Sequence, residues 1–109
     1  MNFDVIATDI FERKLKRLAK KHTSLAADLA LVIDELIINP TLGTLIGKDC
    51  YKLRIAITSK GRGKSGGARM ITYVRIIKQT VYLMDIYDKS EQATISNKEL
   101  QLLISILEE

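Results

Sequence analysis

Positions 48–78 hold nine lysines and arginines against one acid, Asp49, a net of +8, and no further acid occurs before Asp85. The whole chain carries only +4. Charge segregated in this way points to a polyanionic partner more than to a solubility device. Lys52 and Arg54, then Arg69, Tyr73 and Arg75, then Asp85, Tyr87 and Lys89 recur at even spacings. On extended strands even spacing puts side chains on one face, so these residues are expected to share a cationic, solvent-facing surface with aromatic rings among the charges. Cations hold phosphates and aromatic faces stack on unpaired bases, which is the equipment of a single-strand RNA reader. Between Arg54 and Arg69 the loop containing the glycine-rich run Gly61–Gly67 adds Lys60, Arg62 and Lys64, and reads as a flexible cationic flap over RNA or as a plain hairpin connection, its charge favouring the flap.

Such a surface can cleave RNA without a metal or a histidine. A 2′-hydroxyl must lose a proton, a pentacovalent phosphorane must be stabilised, and a 5′-oxygen must be protonated. Clustered cations depress one another's pKa, which makes a lysine available as a base, and they stabilise the developing phosphate charge. A tyrosine or lysine can supply the acid. The same residues serve a binder equally well, so they point to RNA without deciding between binding and cutting. The string Gly63-Lys64-Ser65 does not make a nucleotide-binding phosphate loop. That motif needs a glycine where this chain has Thr58, and a helix where Gly66-Gly67 leads into a β-patterned run.

The remaining composition excludes much else. At 109 residues, 47% apolar and 28% charged, the chain is one domain with a core and an ordinary surface. One cysteine rules out an intramolecular disulfide and a multi-cysteine zinc site, and one histidine rules out a histidine metal cluster. No metal or cofactor is expected. Cys50 reads as a small apolar filler, and His22 as a helix cap or a solvent-facing imidazole. No apolar run approaches the ~20 residues of a membrane span, and no leader segment is visible, so a cytoplasmic protein without a membrane partner is expected.

The elements that must position these residues are legible from periodicity. Met1–Ala7 reads as a first strand, and Thr8 or Asp9 caps a helix bearing Phe11, Leu15 and Leu18 on one face. A break at His22–Ser24 opens a second helix, with Leu25, Leu29, Val32, Ile33, Leu36 and Ile37 as its apolar stripe, which Asn39-Pro40 ends. After a loop with Gly43 and Gly47 the period becomes two, through three strands joined by short connections. Tyr51 and Tyr82 fall on the core faces, and Asp85 is expected to orient a neighbouring Arg or Lys. Ser96–Glu99 is a capping box for a last helix striped by Leu100, Leu103, Ile104 and Leu107. Leu102 and Ile106 widen that stripe, as further core or as a docking site for a partner. The expected fold is α+β, β-α-α-β-β-β-α: a small antiparallel sheet with two N-terminal helices on one face and a C-terminal helix.

That order and three strings resemble the RelE/ParE superfamily of toxins from bacterial toxin–antitoxin systems, in particular its HigB-like branch. The strings are Cys50–Arg54, Ser59–Arg69 and Ile86–Glu91, and the resemblance covers nearly the whole chain, 1–109. It implies a RelE-like fold and a metal-independent ribonuclease that cuts mRNA on the ribosome. It also implies a cognate antitoxin as partner, with operator DNA as a partner of the toxin–antitoxin complex. The basic pair of the second strand falls on Lys52 and Arg54, the arginine opening the third strand on Arg69, and a basic residue past the last strand on Lys89. This chain has Ser90 where relatives carry an arginine, and Ile95 and Ser96 where they carry a tyrosine, so Tyr87 or Tyr73 is left for the acid or stacking role. Arg54 and Arg69 are then expected on the scissile phosphate, Lys52 or Lys89 as base, and Leu102 and Ile106 against the antitoxin. The rival on the same fold is a ParE-like, non-enzymatic inhibitor of DNA gyrase. A third possibility is an inactive relic that only binds RNA or DNA. Fold alone does not choose among them.

Overall fold

The computed structural model describes residues 2–60 and 66–108. In chain order it has β1 (Asp4–Ala7), α1 (Asp9–Lys21), α2 (Leu25–Ile38), β2 (Thr44–Gly47), β3 (Cys50–Ile55), a 3₁₀ turn (Thr58–Lys60), β4 (Ala68–Arg75), β5 (Thr80–Asp88) and α3 (Asn97–Glu108). Thr8 is the cap of α1, its hydroxyl accepting from the Phe11 N–H. The sheet runs β1-β5-β4-β3-β2. The β3-β4-β5 meander is antiparallel as expected, whereas β1 joins the edge parallel to β5, so the five-stranded sheet is mixed.

β2 is an edge strand that the sequence pattern did not signal. It pairs with β3 through a tight turn at Lys48 and Asp49, both with positive φ (53° and 63°). Two successive positive-φ residues match the twist of a two-residue hairpin.

Two cores sit on opposite faces of the sheet. Phe11 and Leu18 of α1 and Leu25, Leu29 and Leu36 of α2 pack on Leu53, Ile55, Met70, Val74, Leu83 and Ile86. On the other face Leu100 of α3 closes a smaller cluster with Cys50, Ile71, Tyr73, Met84 and Tyr87. The expected open face is therefore largely covered: Arg69 is 3% exposed, Tyr87 3% and Tyr73 6%. A bulge corrects the reading of β5. Ile71 pairs with Asp85 but Thr72 pairs with Leu83, which leaves Met84 as an extra residue. Parity flips there, so Tyr82 and Met84 face α3 while Ile86 faces α1 and α2. Tyr82 packs in the second cluster, its ring 6.4 Å from that of Tyr73. Among the described residues no helix is long and apolar enough to cross a membrane.

Candidate active site

Strand register assembles the site. Arg54 on β3 lies opposite Arg69 on β4, and Arg69 lies opposite Tyr87 on β5. Cross-strand neighbours hold their Cβ atoms about 5 Å apart, so the three side chains form one ladder across the sheet. Lys52 lies one row inward, level with Ile71 and Asp85. Lys89 follows β5, and its N–H donates to the Gly67 carbonyl (3.1 Å). Gly67 is required at that point, because a Cβ there would collide with the Ile55 carbonyl oxygen. The exposed members of the set are Arg54 and Lys89; Lys52 is half-buried, and Arg69 and Tyr87 lie beneath the surface.

Burial and proximity tune the ladder. Burial, and then the neighbouring Arg54 guanidinium, pull the Arg69 pKa down from its ordinary value, against an opposing pull from Tyr87. Arg69 Nη1 donates to the Ala68 carbonyl (3.1 Å). Burial pushes the Tyr87 phenol up, with Thr94 and Arg69 opposing the shift more weakly. The Tyr87 hydroxyl is buried and completes no hydrogen bond of ordinary geometry among the described residues. It therefore stays protonated at neutral pH, which suits a proton donor and not a base.

Other expected residues lie elsewhere. Tyr73 is buried against Tyr82, which denies it a stacked base, and the Arg75 guanidinium sits 5.8 Å from the Tyr73 ring centre. Arg75 pairs with Thr80 at the far end of β4, six residues from Arg69, or roughly 20 Å along a strand. Lys60, expected on phosphate, is instead bonded to the buried Asp88 carboxylate (3.2 and 3.4 Å). Arg62 and Lys64 lie outside the described residues. Asp85 is paired as expected with a lysine, but the partner is Lys14 of α1. His22 caps α1 through its N–H, while its imidazole is buried and not solvent-facing. Cys50 is fully buried, its thiol pushed up to about 11 by burial and the nearby Asp49. No group of histidine, cysteine or acidic side chains among the described residues could hold a metal ion.

A family model described as the RelE toxin of the RelE/RelB toxin–antitoxin system matches residues 8–108. The chain belongs to the RelE toxin family. Three solved structures share the fold. A free E. coli RelE in which two arginines are replaced by alanine has a TM-score of 0.60 at 20% identity, covering 85% of this chain and 90% of its own. The isolated E. coli RelE toxin gives 0.58 at 21%, covering 95% and 98%. The same double mutant in complex with a peptide of the antitoxin RelB gives 0.58 at 18%, covering 87% and 97%. At these identities the likeness is one of fold.

In this member of the RelE family, sequence reasoning missed one cluster beside the ladder. His22, Lys60 and Ser90 converge on Asp88, which directly follows Tyr87. An aspartate ending a strand two residues before a serine is a turn signal, but the approach of His22 and Lys60 comes from distant positions.

Proposed function

We propose that this chain is a ribosome-dependent mRNA endonuclease of the HigB-like branch, acting in the cytoplasm and neutralised by a cognate antitoxin. The observation that carries the reading is the Arg54–Arg69–Tyr87 ladder, flanked by Lys52 and Lys89, in a chain of the RelE toxin family. Arg54 and Lys89, exposed at the rim, meet the RNA backbone first. Arg54 and Arg69 stabilise the phosphorane. Lys52 or Lys89 takes the 2′-hydroxyl proton, and Tyr87 delivers a proton to the leaving 5′-oxygen. Two cations fixed by register, one of them largely desolvated, are the kind of preorganised field that lowers such a barrier. Tyr87 packs with Leu100 of α3 and with Ile95, so the phenol meets RNA only once this cover shifts.

On this reading the antitoxin docks on α3. Leu102 and Ile106 are 61% and 50% exposed, so both lie outside the protein's own core. Ile106 also lines a cleft of about 320 Å³ with Ile6, Tyr82, Met84 and Leu103. Apolar residues beside an apolar cleft fit a partner helix or strand.

Translation reactions programmed with a defined mRNA test the function. Purified protein should generate discrete cuts in ribosome-bound message, mapped by primer extension. Intact mRNA with inhibited DNA supercoiling would establish the gyrase reading in its place. Intact mRNA with RNA or DNA binding alone would establish the relic.

A further inference from the structure

The side of β5 that faces α1 carries a feature the ladder does not use. The Asp88 side chain has no exposed surface. His22 Nε2 lies 2.8 Å from its Oδ2. Lys60 Nζ donates to both oxygens, at 3.2 and 3.4 Å. The Ser90 N–H and hydroxyl donate to Oδ1 at 2.9 and 2.8 Å. The Asp88 carbonyl accepts from the Glu91 and Gln92 N–H groups. Arg17 and Lys21 of α1 approach Glu91 at 3.8 and 4.0 Å, tying the same turn to the same helix. Burial alone would push the Asp88 carboxyl up. The bonds from Ser90, His22 and Lys60 outweigh it and hold the group well below the ordinary carboxylate range.

Strand residues alternate between faces. A carboxylate fastened at position 88 on the α1 side therefore sets the direction of Tyr87, on the ladder side, and fixes the point from which the chain turns into Lys89. The 3₁₀ turn that supplies Lys60 is itself anchored. Asp28 accepts from the Thr58 N–H (2.9 Å) and hydroxyl (2.6 Å), and Ser24 accepts from the Ser59 N–H (2.8 Å). Each residue of the turn is thus tied to a different side chain, and Lys60 meets Asp88 from a fixed base. Beyond Asp88, the Lys89 N–H closes on Gly67 at the start of β4.

We infer that Asp88 is a positioning residue for the ladder: held by His22, Lys60 and Ser90, it fixes Tyr87 and Lys89 in their working geometry from the face of the sheet opposite the RNA. The inference rests on the cleavage reading for what the geometry serves, but not for the geometry itself.

Three variants test it. Asp88→Asn keeps the shape and removes the charge; His22→Ala removes the donor; His22→Gln restores an N–H near the position of Nε2. Cleavage is measured on programmed ribosomes, with kcat and KM separated. Amide hydrogen exchange is read at Lys89, with Val74 as internal standard because its N–H is bonded to the Asp49 carbonyl at the far end of β4. Asp88→Asn and His22→Ala should lose at least tenfold in kcat with KM within about twofold. Exchange at Lys89 should rise at least tenfold with Val74 unchanged, and His22→Gln should recover kcat to within about threefold. Unchanged kcat in folded variants, unchanged exchange at Lys89, or a loss that His22→Gln does not restore overturns the inference. Should Asp88→Asn not fold, the two His22 variants decide by the same criteria. A wild-type protein that leaves mRNA whole refutes the cleavage reading instead, and exchange at Lys89 still decides whether Asp88 holds the end of β5.

Discussion

Tyr87→Phe separates stability from activity. The Tyr87 hydroxyl is buried and completes no hydrogen bond of ordinary geometry among the described residues, Thr94 acting on it only weakly. Leaving such a group unsatisfied costs about 1–3 kcal/mol, because water is lost and nothing replaces it. Removing the oxygen relieves that cost and leaves a gap of one atom in a cluster lined by Ile71, Met84 and Leu100, so a net gain of about 1 kcal/mol is expected. For a domain of this size that raises Tm by about 4 °C. If the phenol delivers the proton to the leaving oxygen, the same change slows cleavage by about 10²-fold, the low end for a lost general acid. That corresponds to about 2.7 kcal/mol of barrier. Thermal and urea unfolding give the first quantity, and single-turnover cleavage of ribosome-bound mRNA gives the second. A variant that melts below wild type would show that the folded protein satisfies the hydroxyl. Cleavage at the wild-type rate would remove the phenol from the chemistry.

The remaining predictions test other parts of the molecule. Arg69→Met retains a buried stem while removing the charge, and should cost about 10²-fold in cleavage by a folded protein, as for one lost stabilising donor in a preformed site; a wild-type rate would exclude Arg69 from catalysis. Leu102→Glu with Ile106→Glu, both on exposed positions, should leave a folded, toxic protein that the antitoxin no longer neutralises in co-expression; normal neutralisation would place the antitoxin elsewhere. Asp88 has a folded pKa below its unfolded value of 3.8, so its contribution is complete well above that value and is lost as pH falls through the folded pKa. Wild-type stability should therefore drop below about pH 4, and Asp88→Asn should flatten that limb in acid titrations followed by circular dichroism. Gly67→Ala forces a Cβ into the Ile55 carbonyl and should destabilise by about 2–3 kcal/mol, in the range of an overpacked core, read from the urea midpoint.

Much of this fold is written in local pattern. The i, i+4, i+7 stripe of α2, the stop at Asn39-Pro40, the period-two runs of β3 and β4, and the Ser96–Glu99 box reflect backbone geometry that each segment imposes on itself. The same periodicity put Lys52, Arg54, Arg69 and Tyr87 on one face, and their residue types were enough to suggest RNA chemistry. Tertiary structure decided what period two cannot express. Which residues stand opposite one another depends on register, and register joined Arg54 to Arg69 and Arg69 to Tyr87 while leaving Arg75 at the far end of the strand. A single extra residue at Met84 reversed the faces of β5, because side-chain direction counts residues and not identities. Whether a charge meets solvent or a partner was likewise decided in three dimensions. Lys60 lies 28 positions and His22 lies 66 positions from Asp88 in the chain. Only the packing of α1 and the 3₁₀ turn against the end of β5 turned two ordinary surface residue types into the buried partners of one carboxylate.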